Sequence, residues 1–160
     1  MPHVSSLDIA HFKEVVGHYV TGVTVITASS EDGPAGFTCQ SFESLSLEPM
    51  LVSFAAKTLG RSWPKVSRAG TLGINILSSA QEALARAFAT SDVDKFAGVR
   101  WSEGRNGAPL LDGALAHLEG RIVSRTTHGD HDLVVVAVDY AVTHQGAPLT
   151  YYRGGFGTFA

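Results

Sequence analysis

The chain has 160 residues, of which 44% are hydrophobic and 17% charged, and its formal net charge is −3. This composition excludes a disordered chain, and the slight negative charge argues against a protein that grips nucleic-acid backbones through bulk positive charge. Cys39 is the sole cysteine, which excludes an internal disulfide and any cysteine-rich zinc or iron–sulfur site.

One domain spanning residues 1–160 is expected at this length. The opening MPHVSSLDIAHFKEVVGHY has no basic stretch followed by an apolar core, so no secretory leader is expected. The longest apolar run, Leu133 to Val138, is too short to cross a bilayer. The expected setting is therefore the cytoplasm, with neither membrane nor nucleic acid as a partner. Sparse charge further predicts that part of the surface is buried against a second copy.

In chain order, Leu7 to Tyr19 carries apolar residues at helical spacing, with Ser5 or Ser6 as cap. Val20 to Ala28 is rich in β-branched residues and predicts a strand. Glu31 to Pro34 is a turn by composition, and a short strand is expected from Ala35. Leu51 to Ala55 predicts another strand. Ser62 to Ala69 reads as a short helix capped by Ser62, with Pro64 in its first turn. Thr71 to Leu77 returns to strand. Ser79 and Glu82 form a capping box for a helix ending near Ala89. Asp92 to Gly113 is loop-like. Leu115 to Arg125, Leu133 to Val142 and Thr150 to Arg153 complete the strands. Six or seven strands against three short helices predict a mainly β fold, a mostly antiparallel barrel with helices on its outside. The run LVVVAV predicts a strand buried on both faces, by core and by a subunit interface.

The chain lacks a Gly-x-Gly-x-x-Gly strand–helix turn, a phosphate loop ending in Gly-Lys-Ser/Thr, and a Gly-x-Ser-x-Gly elbow. Four segments carry candidate chemistry instead. Gly36 to Leu47 gathers Thr38, Gln40, Ser41, Ser44 and Ser46, uncharged donors suited to a planar ligand with polar edges; the plain alternative is a strand and turn with surface hydroxyls. Lys57 to Pro64 places Lys57, Arg61 and Ser62 at a helix start, an arrangement that suits a phosphate; the alternative is an ordinary cap with solvated cations. Trp63 belongs either to the core or to a lid over an aromatic ligand. THGDHD, with His128 and His131, reads as a polar hairpin turn and not as a metal site, or as a turn that holds a histidine at a site mouth. The glycine-rich YYRGGFGTF supplies aromatics and Arg153. Cys39 has no cationic neighbour in sequence and reads as a packing residue.

Taken in order, TGVTVIT, GFTCQSFESLSLEPMLVSFAAK, RSW, GINIL, DKFAGVRW, PLLDGALAHLEG, GDH and YYRG resemble the flavin reductase-like family of split β-barrels, along nearly the whole chain. Within it, the resemblance is to the reductase components of two-component flavin-dependent monooxygenases. It implies a homodimer that uses NADH, or NADPH, to reduce FMN or FAD and passes the reduced flavin to a separate oxygenase component. It implies that Thr38, Cys39, Gln40 and Ser41 line the flavin ring, that Lys57, Arg61 and Ser62 lie in the segment holding its phosphate or ribityl oxygens, and that Gly36, Ala55 and Trp63 also bind the cofactor. Asp94, Lys95 and Phe96 match a loop near the flavin, and Tyr152 and Arg153 match a further cofactor segment. His131 is implied at the nicotinamide as the catalytic residue. The chain departs from the family in having Pro49-Met50 where a Pro-Pro pair is usual, and it ends soon after Tyr152, without an extended tail. The alternative within this fold is a flavin- or deazaflavin-binding protein that acts on its own substrate or stores the cofactor.

Overall fold

β-Branched and aromatic segments pair into antiparallel sheets of seven, three and two strands, seen in a computed structural model that describes residues 6–159. The strands are β1 (Thr21–Gly22), β2 (Thr24–Ser30), β3 (Gly33–Cys39), β4 (Glu43–Leu47), β5 (Met50–Lys57), β6 (Thr71–Ile76), β7 (Trp101–Glu103), β8 (Pro109–Leu111), β9 (Ala116–His128), β10 (His131–Thr143), β11 (Thr150–Tyr152) and β12 (Gly155–Gly157). The helices are α1 (Ile9–Val16), α2 (Ser62–Ala69) and α3 (Glu82–Phe88). Seven strands form the main sheet in the order β3-β2-β6-β9-β10-β5-β4, and all the pairings are antiparallel. The split-barrel expectation holds. β4 and the short β7–β8 pair were not expected, because β4 lies in the serine-rich stretch and β7 and β8 in a glycine-rich one, where propensity favours turns.

The long hairpin β9–β10 is the spine of the sheet. Gly129 takes the positive φ of 61° that its two-residue turn requires, so His128 and His131 face each other as the last paired residues. Gly120 permits the tightest approach between these strands: a Cβ there would lie 2.3 Å from the Ala137 carbonyl oxygen.

Two apolar clusters form the core. Ile26, Phe54, Trp63, Val66, Leu72, Ile74, Val134 and Val136 pack inside the sheet's curve, and Val23, Val25, Leu77, Ala85, Phe88 and Leu111 pack beneath α3. Within the protomer one face of LVVVAV is in the core and the other is open. Val134 and Val136 are buried, whereas Leu133 alternates outward and is 44% exposed, as period-two geometry dictates.

Helix starts differ from expectation by local chemistry. Asp8 caps α1, its carboxylate accepting from the His11 amide at 2.8 Å, because a short acidic side chain reaches that donor well; Ser5 lies outside the described residues. Ser62 does not cap α2. The cap position is Arg61, with no side-chain bond. The capping box stands one residue early, at Ser78 and Gln81, over a 3₁₀ turn that precedes α3. Among the described residues no helix is long and apolar enough to span a membrane.

Candidate functional site

The site forms where the sheet fails to close. β3 is one edge and β4 the other, so no ladder joins β3 to β5. One hydroxyl bridges the gap: Ser41 Oγ accepts from the Ala55 amide at 2.8 Å and donates to the Ala55 carbonyl at 3.1 Å. The buried Cys39 Sγ lies 3.2 Å from the same hydroxyl and 3.6 Å from the Ala55 carbonyl. Burial pushes this thiol above its ordinary pKa, so Cys39 is a packing group and not a nucleophile.

Beside this seam opens a cleft of about 780 Å³. β3 makes one wall, the end of β5 and the start of α2 make another, and Ser91 to Phe96 closes a third. Every residue predicted for the site lines it except two: Gly36, Thr38, Cys39, Gln40, Ser41, Ala55, Lys57, Arg61, Ser62, Trp63, Phe96 and His131 are all present. Tyr152 and Arg153 are not. β11 pairs with β1 and β12, which places Tyr152 edge-on to His18 and ties the Arg153 amide to the Gly17 carbonyl at 3.0 Å. This chain therefore directs that segment to α1, away from its own cleft.

Not all the predicted donors are free. Thr38 Oγ1 gives its proton to the Ala85 carbonyl at 2.6 Å, and Ser41 gives its own to Ala55. These hydroxyls can accept from a ligand but cannot donate to it. Gln40 is exposed and its amide makes no side-chain bond among the described residues. The backbone adds more. The Gly36 carbonyl turns away from β2 to accept from Lys95, so on this edge strand Gly36 and Thr38, two residues apart, present their peptide groups to the cleft. Trp63 is core rather than lid: it is 4% exposed, and its indole N–H donates to Asp132 Oδ2 at 2.8 Å.

Cationic groups gather at the other end. Lys95 Nζ donates to the Gly36 carbonyl at 3.2 Å and to Ser62 Oγ at 3.1 Å, tying the 91–96 segment to both β3 and α2. Partial burial pulls its pKa below the ordinary lysine value. The ammonium has three donors, so one remains for a ligand. Arg61 pairs with Asp92 across the mouth, both side chains well exposed. Phe96 anchors the segment edge-on to Phe88, ring centroids 4.9 Å apart. Sequence reasoning weighted Lys57 and Arg61 and left Lys95 as merely near. Its only local signal was a lone lysine between acidic and aromatic neighbours.

His131 opens β10 directly across from Lys57 in β5. Its Nδ1 lies 2.7 Å from Asp130 Oδ1. A carboxylate only accepts, so Nδ1 carries a proton, which leaves Nε2 as the nitrogen turned toward a ligand. The hydrogen bond from His131, followed by its charge, holds the Asp130 carboxyl below the usual aspartate range. The Asp130 carbonyl in turn accepts from the Thr58 amide at 3.1 Å, which pins the hairpin turn to the end of β5. The cleft thus offers acceptors and peptide groups along β3, cations at the α2 start, and a fixed imidazole on the third side. Such a set can hold a planar polar ring and its phosphate while leaving one face open to a second molecule.

The sequence profile of the flavin reductase like domain matches residues 16–160. The chain is 39% identical over 152 residues to the reductase subunit HsaB of a flavin-dependent monooxygenase from Rhodococcus jostii, covering 94% of this chain and 78% of that one. Among solved structures it is similar to nitrilotriacetate monooxygenase component B from Mycobacterium thermoresistibile (36% identity, TM-score 0.91, 94% and 86% coverage). It is also similar to the NADH:FAD oxidoreductase SgcE6 of Streptomyces globisporus in complex with NAD and FAD fragments (34% identity, TM-score 0.92, 100% and 98% coverage).

Proposed function

The chain belongs to the flavin reductase-like family, and from that membership we propose how its cleft carries the family's reaction. The protein is an NAD(P)H-dependent flavin reductase of the kind that serves a two-component monooxygenase, with a separate oxygenase component as the recipient of reduced flavin. We take the cleft beside Ser41 to hold FMN or FAD, with NADH as the preferred reductant. One observation carries this reading: the neutral edge of β3, the cationic start of α2 and His131 converge on a single cleft.

The residues present fit such a group. About 780 Å³ lies within the ~300–1,000 Å³ usual for a small-molecule site. Gln40 and the outward peptide groups of Gly36 and Thr38 face the ring's polar edge. Ser62 and Lys95, with Arg61 further out, face the phosphate. The bound flavin supplies the hydride acceptor. His131, at the mouth of the cleft, would hold the carboxamide of a nicotinamide through Nε2 and so orient it. Asp130 keeps the imidazole in the tautomer that does this. No protein nucleophile is required, in keeping with the inert Cys39.

The functional unit is a homodimer in this reading. The apolar residues of α1, among them Ile9, Phe12, Val15 and Val16, are all at least half exposed, and α1 buries none of its residues. A helix of two turns is marginal without a packing partner. Leu133 adds an apolar side chain on the outer face of β10.

The test is flavin titration by fluorescence quenching with FMN, FAD and riboflavin, paired with NADH oxidation at saturating flavin. Binding and turnover that are both indifferent to changes at Lys95 and His131 would remove the assignment of the cleft.

A further inference from the structure

A second cavity, of about 470 Å³, opens on the far side of the sheet and shares no lining residue with the flavin cleft. Two imidazoles meet on its wall. His117 lies in β9 opposite Val142 of β10, and His144 follows two residues after Val142, so both side chains fall on one face of neighbouring strands. The backbone fixes both: the His144 amide donates to the Leu115 carbonyl at 2.7 Å, and His117 is buried, at 9% exposure. His144 Nε2 donates a hydrogen bond to His117 Nδ1 at 3.2 Å, and a cation bound between the two nitrogens would take the place of that proton.

His117 Nε2 lies 2.8 Å from the Leu111 carbonyl oxygen. A carbonyl only accepts, so this nitrogen holds the proton and, in the neutral ring, Nδ1 offers its lone pair toward His144. A carbonyl on the far nitrogen is the common outer partner of a metal-bound histidine. Two Zn–N bonds of ~2.0–2.1 Å at a tetrahedral angle hold their nitrogens about 3.3 Å apart, close to the spacing found here.

We propose that His117 and His144 form a binding site for a divalent cation that favours nitrogen ligands, namely Zn²⁺, Ni²⁺ or Cu²⁺. Among the described residues no cluster of three or more His, Cys, Asp or Glu ligands occurs, so water from the open cavity completes the coordination. Affinity follows the order of imidazole preference, with Cu²⁺ ahead of Ni²⁺ and Zn²⁺. Mg²⁺ and Ca²⁺, which favour oxygen, do not compete. The bound ion clips β9 to the segment leaving β10, and it stabilises the native state in proportion to its occupancy.

Untagged protein is titrated calorimetrically with Ni²⁺ and Zn²⁺ near neutral pH, and thermal unfolding is followed with and without Zn²⁺. Wild type binds one equivalent and its Tm rises. His144→Ala, at an exposed position where folding is unaffected, binds at least ~10-fold more weakly and loses the Tm rise. His117→Gln behaves alike, while His11→Ala and His128→Ala bind as wild type. Absence of saturable binding in wild type, or binding that His144→Ala leaves unchanged, overturns the proposal.

Discussion

The indole N–H of Trp63 donates to Asp132 Oδ2 at 2.8 Å, joining the first turn of α2 to the second residue of β10. The bond sets the distance between the cationic end of the cleft and His131, the residue next to Asp132. Trp63→Phe should therefore lower Tm and raise both the flavin Kd and the NADH KM, where a purely local change would move only one. The Asp132 carboxyl is held below the usual aspartate range by the bond from Trp63 first and then by that from Thr127. A depressed carboxyl contributes stability that is fully present above its unfolded pKa of about 3.9 and is lost as pH falls through its lower folded value. Asp132→Asn should be less stable at neutral pH and should show a flatter fall in Tm below about pH 4. Parallel acid limbs in the two proteins would count against this assignment.

Two cations at the α2 start are not equivalent. Arg61 is exposed and already paired with Asp92, whereas Lys95 is half-buried with a donor to spare. An exposed ion pair is worth about 0–1 kcal/mol, and a charge-assisted hydrogen bond in a partly dry site about 1.5–3 kcal/mol. Lys95→Met should raise the FMN Kd roughly tenfold or more, and Arg61→Ala only a few-fold, by the same conversion. Riboflavin, without a phosphate, should lose far less in both variants. Equal losses for FMN and riboflavin would remove the phosphate from this end of the cleft.

His131→Ala removes one hydrogen-bonding group, worth about 0.5–1.5 kcal/mol. A several-fold drop in kcat/KM for NADH should follow, with flavin affinity near wild type. Asp130→Ala frees the imidazole to flip its tautomer and should produce a smaller loss of the same kind. Loss of flavin affinity with unchanged NADH kinetics would place the histidine on the other side of the ring.

Phe12→Glu and Val16→Glu put charge on the exposed apolar face of α1. Sedimentation should show a dimer for wild type and a monomer for the double variant at micromolar concentration. A wild-type monomer would end the dimer reading.

The main strands were legible because β-branched runs such as Thr24 to Thr27 have few other uses. β4 was not, since serine, glutamate and leucine alternate there on an edge where tertiary pairing, not propensity, decides. The candidate residues on β3 and at the α2 start were legible as chemical types. Their available valences were not: that Thr38 spends its proton on Ala85 depends on a contact 47 residues away. The role of Ser62 was misread for a related reason, because Lys95 competes for its hydroxyl from 33 residues downstream. That Tyr152 and Arg153 lie outside the chain's own cleft was not legible either, because it depends on β11 pairing with β1 from the other end of the sequence.

Mechanically, a sheet held across its seam by the Ser41 hydroxyl behaves as a hoop with a single clasp. Undoing the clasp breaks two hydrogen bonds to Ala55 and a weak thiol contact, roughly 1–3 kcal/mol together, and leaves every rung of the strand ladders intact. Beneath it, the ring of Phe37 packs against Phe54 and Trp63, so the two edges of the gap are joined by side-chain packing where no ladder joins them.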